Sequence, residues 1–337
     1  MLSERALRQV WYGDAQPSFF LRALASIYGA LSAARRGFYR LGFLRAVWLP
    51  VPVIVIGNIS VGGAGKTPLT MALIDGLRAR GFTPGVISRG YGGSAGGPIL
   101  LDAQSDTSTV GDEPVLIARI TGAPVAVGRD RVAAARLLLA AKKVDVLIAD
   151  DGLQHYRLAR NVEICVIDGD RRFGNGRLLP AGPLRESIAR LTGVDFRVCN
   201  GGTPKTGEIA MTLDGDFAVA LIDRATSRPL REFRGRIHAV AGIGHPARFF
   251  AQLRTAGLDV VEHPFPDHHP FRAGDLDFGD DLPVLMTEKD AVKCSAFANA
   301  QAWVVPVRAQ LAAEFFDSAA MILRRGKAGQ EIPGTSD

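Results

Sequence analysis

Apolar and polar positions along the chain fall into two alternating kinds of stretch. Short apolar runs rich in Val and Ile occur at Val51–Ile56, Pro84–Ser88, Pro124–Val127, Val144–Ala149 and Glu163–Ile167. Between them lie longer segments with helical spacing of apolar residues, such as Thr67–Arg80 and Arg131–Ala141. Strands buried on both faces and joined by crossover helices read this way, so the pattern predicts an α/β fold with a parallel sheet. A loop dense in glycine and proline, Gly174–Pro183, and a polar, strand-poor stretch, Gly201–Gly215, interrupt the series. A second α/β series follows, with strands expected at Ile237–Val240, Val260–Glu262, Val284–Met286 and Trp303–Val307. Its helices are expected at Pro246–Ala256 and from Ala309 to Arg325. The interruption predicts a domain change, with a first domain over 46–195 and a second, smaller α/β domain over 196–337. No short-period repeat or low-complexity tract is present.

The segment before Pro50 follows a different pattern. From Phe19 to Trp48 apolar residues are interrupted by Arg22, Arg35, Arg36, Arg40 and Arg45. The longest uncharged run, Ala23 to Ala34, has 12 residues, whereas a helix needs roughly 20 to cross a bilayer. Residues 1–45 therefore read as a basic amphipathic helical region. Two placements fit that pattern: flat in a membrane interface with arginines toward anionic headgroups, or packed on the body of the protein.

Composition narrows the class. With 337 residues, 47% of them hydrophobic, the chain can bury large cores and is not a disordered protein. Its formal charge of +6 suits anionic lipid, nucleic acid or phosphorylated substrate without choosing among them. Cys165, Cys199 and Cys294 are far apart and outside any CxxC or Cys/His cluster, so neither a disulfide framework nor a zinc site is expected, and a reducing cytoplasm is the default compartment.

The strongest chemical signal is Ser60-Val61-Gly62-Gly63-Ala64-Gly65-Lys66-Thr67, which matches the phosphate-loop pattern except that Ser60 replaces its first glycine. Glycines let successive backbone NH groups point into one concavity, and the following helix adds its positive end. Lys66 is placed to reach the β and γ phosphates, and Thr67 to offer a hydroxyl to Mg²⁺. Such a loop usually works with an acidic residue at the end of a hydrophobic strand, which Asp145-Val146-Leu147-Ile148-Ala149-Asp150-Asp151 supplies. Val61 stands where ATPases that position other proteins on membranes carry a lysine. Thr287-Glu288-Lys289-Asp290 has its lysine in the wrong place for a guanine reader, and protein-kinase and dinucleotide fingerprints are absent.

Phosphorylating an alcohol calls for a group that takes its proton. Asp112 in Gly111-Asp112-Glu113-Pro114 is one candidate, as a helix cap or as a base. His263-Pro264-Phe265-Pro266-Asp267-His268-His269-Pro270 packs histidines on a rigid loop, without the i, i+4 spacing of common zinc motifs. Arginines in Ser88-Arg89-Gly90-Tyr91-Gly92 and in Arg171–Arg177 are suited either to gripping phosphate or to solvating a loop.

Taken together these segments closely resemble the tetraacyldisaccharide 4'-kinase family of lipid A biosynthesis. The resemblance rests on Gly57–Pro68, Ser88–Gly92, Val110–Pro114, Asp150–His155, Gly174–Glu186 and Phe265–His269, and runs from about Trp11 to Val307. It implies a P-loop-containing three-layer α/β/α kinase domain, a second, smaller α/β domain closing the cleft, and an N-terminal membrane-associated helix over residues 17 to 45. The implied reaction moves the γ-phosphate of ATP, with Mg²⁺, to the 4'-hydroxyl of a tetraacylated glucosamine disaccharide 1-phosphate at the cytoplasmic face of the bacterial inner membrane, forming lipid IVA. The family's catalytic Asp–His dyad would fall on Asp112 and His268, alongside Lys66, with His269 as the neighbouring alternative. Its magnesium-linked pair would fall on Asp150 and Asp151, beside Thr67, and Arg89, Tyr91, Gln154 and His155 look like acceptor contacts. The expected partners are the acylated lipid and an anionic inner-membrane surface, with no nucleic acid and no obligate protein partner. Two other readings stay open on the residues alone: a nucleotide-switched P-loop ATPase at the membrane, and a soluble small-molecule kinase.

Overall fold

The computed structural model describes residues 4–328. Two helices, Glu4–Tyr12 and Phe19–Arg40, precede the first strand. Nine strands then form one sheet in the spatial order 308–310, 209–214, 196–200, 162–168, 53–57, 146–149, 84–88, 125–127 and 99–100. All its pairings are parallel except at the two edges, where 308–310 and 99–100 run antiparallel to their neighbours. The central strands Val53–Gly57, Pro84–Ser88 and Val146–Ala149 are buried along their whole length. Continuous apolar runs of this kind follow from helices covering both faces of a parallel sheet. One face packs with the helices Lys66–Arg78 and Ala313–Ala328 through Leu69, Leu73, Ile74, Phe315 and Leu323. The other packs with Arg131–Ala141 through Val132, Ala135 and Leu138.

A second sheet of six strands, in the order 227–229, 217–220, 302–305, 284–287, 236–241 and 259–264, has its own core around Phe249, Phe250, Leu253 and Leu285. Its four strands 236–241, 259–264, 284–287 and 302–305 are parallel.

The sheets divide the chain differently from the sequence boundary at 195/196. Strands Phe196–Asn200 and Ile209–Asp214, assigned by sequence to the second domain, hydrogen-bond into the first sheet, as does Arg308–Gln310. The polar stretch 201–215 thus contains a strand, hidden because Ile209–Asp214 is only partly buried near the sheet edge. The closing helix begins at Ala313, after the edge strand Arg308–Gln310, whereas sequence periodicity ran helix through both. The Gly174–Pro183 loop, read as an interdomain break, instead runs beneath the phosphate loop, where Val61 N donates to Pro183 O and Arg185 N to Ile59 O.

The long N-terminal helix is capped by the Ser18 hydroxyl, which accepts from Leu21 N. Of its apolar residues only Leu21 and Ala25, one turn apart, are buried, against Ala181 and Leu178. Phe19, Phe20, Ile27, Leu31 and Phe38 are exposed, Phe19 by 79%. Among the described residues no helix is long and apolar enough to cross a membrane.

Candidate active site

The phosphate loop begins where the fully buried strand Val53–Gly57 ends and leads into the helix starting at Lys66. Gly65 caps that helix at φ 92°, and a Cβ there would stand 2.2 Å from Asn200 Nδ2. Left-handed backbone and this close approach together require glycine. Asn200, buried at the end of its own strand, donates from that nitrogen to Ala64 O and so holds the loop from below. Lys66 Nζ donates to Asn58 Oδ1 at 3.3 Å and lies 3.4 Å from Asp151 Oδ1. The lysine expected to reach phosphate is therefore parked on a carboxylate and an amide.

Asp150 and Asp151 follow the strand Val146–Ala149 and sit in unlike surroundings. Asp150 is fully buried; its Oδ1 accepts from Thr70 Oγ1 at 3.2 Å, and its Oδ2 has no hydrogen-bond partner. Burial first, then the charges of Glu113 and Asp151, push its carboxyl up to about 7 against the pull of Lys66 and Arg131. Burial acts on Asp151 in the same sense, but Lys66 and Arg185 outweigh it and hold that carboxyl below the usual range. Arg185 Nη1 reaches Asp151 Oδ2 at 3.3 Å. An orphaned, buried carboxylate oxygen beside an ionised neighbour is what a hard cation completes. Among the described residues no group of three or more His, Cys, Asp or Glu side chains could hold a metal by itself. That donor set suits an ion that takes one or two carboxylates and fills the rest of its shell from phosphate and water.

The second half of the site comes from the other sheet. The loop after the strand Asp259–Pro264 places His268 against Asp112, with Nδ1 3.0 Å from Oδ2 and 3.1 Å from Oδ1. Asp112 opens the helix Asp112–Thr121 and is only 4% exposed. Burial drives its carboxyl up, but the His268 hydrogen bond and the charges of Lys289 and Lys293 prevail and hold it below the usual carboxylate range. His269 turns away and pairs with Asp275 at 3.0 Å. Asp151 and His268 are two of the three described non-glycine residues with positive φ, at 47° and 62°. Each such conformation costs roughly 1 kcal/mol, and strain of this sort gathers at functional sites.

A cavity of about 790 Å³ opens between the sheets and is lined by both. Gly62, Gly63, Ala64, Gly65, Lys66, Thr67, Asp151, Tyr91 and His268 face it. Across it Gly244 of the second sheet's glycine turn comes so close that a Cβ would lie 3.1 Å from Gly63 N. Asp112 and Asp150 stand behind the lining, and Ser60 borders a separate small recess with Tyr12 and Arg171. Of the four residues expected to touch acceptor, Tyr91 lines the cavity, its ring 4.9 Å from that of His268. Gln154 instead donates to Asn58 O and to Glu186 Oε1 at 2.9 Å. His155 is pushed down to about 4 by burial and by the Arg131 charge, and its Nε2 is buried without a partner. Arg89 is exposed, its charge felt by Arg131.

Residues outside the sequence reading complete the site. Lys289 Nζ bridges Glu113 Oε1 at 3.2 Å and Asp267 Oδ1 at 3.1 Å. Arg248 Nη2 reaches both oxygens of Asn200, tying the helix Pro246–Thr255 to the residue that holds the phosphate loop. Thr287-Glu288-Lys289-Asp290 fails as a guanine reader; the signal for its place at the site is its position straight after the buried strand Val284–Thr287.

Known proteins resemble this chain along most of its length. The family model described as tetraacyldisaccharide-1-P 4'-kinase matches residues 17–324. A tetraacyldisaccharide 4'-kinase of Xanthomonas campestris pv. campestris is 52% identical, over 94% of this chain and 96% of its own. Another, of Aromatoleum aromaticum, is 53% identical over 90% and 93%. The crystal structure of LpxK from Aquifex aeolicus in complex with ATP superposes with a TM-score of 0.74 at 28% identity, covering 90% of this chain and 97% of that one. With a phosphate loop facing its cavity and relatives of this kind along nearly its whole length, the chain belongs to the tetraacyldisaccharide-1-P 4'-kinase family.

Proposed function

We propose that this protein transfers the γ-phosphate of ATP to the 4'-hydroxyl of a tetraacylated glucosamine disaccharide 1-phosphate, making lipid IVA. The observation that carries the reading is a single cavity faced by the phosphate loop on one side and by His268, in contact with Asp112, on the other. Phosphoryl transfer asks chiefly for positioning and charge neutralisation. In this assignment the loop amides from Gly62 to Gly65 and Lys66 hold the nucleotide's phosphates. Lys66 leaves Asp151 for them, since a phosphate oxygen competes well with a carboxylate whose second partner, Arg185, remains.

Thr67, Asp150 and Asp151 are the residues that would hold Mg²⁺, which would supply positive charge along the phosphates. Asp112 takes the proton of the attacking hydroxyl, and His268 orients it. Tyr91 borders the acceptor near His268, while Arg89, Gln154 and His155 stand outside the cavity lining. The two sheets form the two sides of the cleft, with the contact between Arg248, on the helix Pro246–Thr255, and Asn200, at the end of a strand of the first sheet, linking them. The exposed apolar side of the helix Phe19–Arg40, with Phe43 and Trp48 beyond it and arginines between, rests on the anionic cytoplasmic face of the inner membrane.

Incubation with labelled ATP and a panel of acylated and deacylated aminosugar disaccharide 1-phosphates tests the reading. Label should appear on the acylated acceptor, and Lys66→Ala should abolish it. ATP hydrolysis that proceeds equally well without any acceptor would reject the kinase assignment.

A further inference from the structure

The helix Glu288–Cys294 brings two lysines, one turn apart, to the Asp112–His268 contact. Lys289 Nζ lies 3.4 Å from His268 Nε2 and 4.0 Å from Asp112 Oδ2. Lys293 Nζ lies 3.7 Å from the same Asp112 oxygen and 3.0 Å from Asp290 Oδ1, over the ring of Phe271. Both side chains are largely buried, at 15% and 9% exposure. Asp290 is itself fixed by Thr287 Oγ1 and Gly242 N. The helix is thus bolted to the sheet that carries the His268 loop.

An ammonium has only protons to offer. Lys289 Nζ is nearer to His268 Nε2 than the Asp267 Oδ1 oxygen, 3.4 Å against 3.7 Å, which favours a lone pair on Nε2 and the ring proton on Nδ1, the atom that faces Asp112. We propose that Lys289 and Lys293 are positioning residues for the Asp112–His268 pair: Lys289 fixes His268 as the Nδ1–H tautomer, and Lys293 steadies the Asp112 carboxylate by its charge, 3.7 Å from Oδ2. The inference rests on Asp112 being the group that takes the acceptor's proton. His268 donates to Asp112 in this arrangement, and Asp112 keeps lone pairs for the incoming hydroxyl.

Every charge around Asp112 bears on this. Glu113 and Asp267 share Lys289, and Asp290 shares Lys293. Their negative charges temper the lysines without cancelling them, because Asp112 is held below the ordinary carboxylate range all the same. Removing either lysine leaves those acids in place and tilts the balance toward a protonated Asp112.

The test uses the full-length protein with ATP, Mg²⁺ and detergent-dispersed acylated disaccharide 1-phosphate, measuring kcat/KM against pH. Lys293→Met should move the acid limb up by about one pH unit, with the KM for ATP changed by less than about twofold. Lys293→Arg should bring the limb back. An acid limb that stays put in both Lys293→Met and Lys289→Met overturns the proposal. Should those variants fail to fold, ring ¹⁵N shifts of the wild-type protein decide, with the His268 signal assigned by its loss in His268→Gln. An unprotonated Nε2 supports the proposal, and a protonated one overturns it. Near-normal turnover by Asp112→Asn would instead sink the base assignment, and the ¹⁵N readout would still judge Lys289 by itself.

Discussion

Asp112 and Asp150 are both deeply buried carboxylates of the cleft, 4% and 0% exposed, and the fold treats them in opposite ways. Asp112 is completed by the protein: His268, Lys289 and Lys293, all from the other sheet, surround it. Asp150 is left incomplete, with one oxygen bonded to Thr70 and the other to nothing. Burial raises both, yet the first is held down and the second rises to about 7. Burial therefore does not set the charge of a site carboxylate by itself; the number of cations brought within about 4 Å does. A carboxylate supplied with its own cations is ready for chemistry, and one denied them is ready for a cation from outside.

The largest test of this contrast is catalytic. Asp112→Asn should lower turnover by about 10²–10⁴ while leaving ATP affinity nearly intact, the range a lost general base accounts for. That is roughly 3–5 kcal/mol of barrier. Asp150→Asn should also slow the reaction, but raising Mg²⁺ should recover part of the loss, and it should recover none for Asp112→Asn. Steady-state rates over a Mg²⁺ series would separate the two, and identical Mg²⁺ responses would erase the distinction.

The next effect is on stability and has the ordinary sign. Replacing Asp112 with Asn leaves Lys293 buried with one carboxylate fewer, which should cost roughly 1–3 kcal/mol of folding free energy at neutral pH. The folded pKa of Asp112 lies below its unfolded value. Its stabilisation is thus present above the unfolded value and is lost as pH falls through the folded one. Denaturation midpoints of wild type and Asp112→Asn should therefore converge only in strong acid.

These two aspartates also differ in how plainly the sequence announces them. Asp150 ends an apolar run in the same half of the chain as the phosphate loop, and adjacent parallel strands, Val53–Gly57 and Val146–Ala149, bring the two together. Local pattern and fold class suffice for that. Asp112 gains meaning only from His268, 156 positions away, and local sequence offered a helix cap just as readily. The family resemblance named the pair, but Lys289 and Lys293 were missed because their partners lie on another sheet, and no spacing rule connects them. Gln154 and His155 adjoin Asp150 in sequence, yet Gln154 turns to Asn58 and Glu186, and neither residue lines the cavity. The strand Ile209–Asp214 escaped for a related reason: near a sheet edge its partly exposed residues carry little of the apolar signature of the central strands.

The smallest effect runs against intuition. The folded pKa of Asp150 is about 7, well above its ordinary 3.8, so the folded protein keeps a proton that the unfolded chain has already released between those values. Stability from this group falls as pH rises across that window and is flat above it. Asn cannot lose a proton, so Asp150→Asn should be more stable than wild type at pH 8 and lose that advantage near pH 4. The amide that replaces Oδ2 still lacks a partner, which limits the gain to about 1 kcal/mol, or roughly 2 °C in Tm. Added Mg²⁺ should reverse the order, because an ion held by the ionised carboxylate stabilises wild type in proportion to its occupancy and has less to grip in Asp150→Asn. Melting curves at pH 8 with and without Mg²⁺ read this directly. A variant less stable than wild type in the absence of the ion would mean that the protein itself completes Asp150 as fully as it does Asp112.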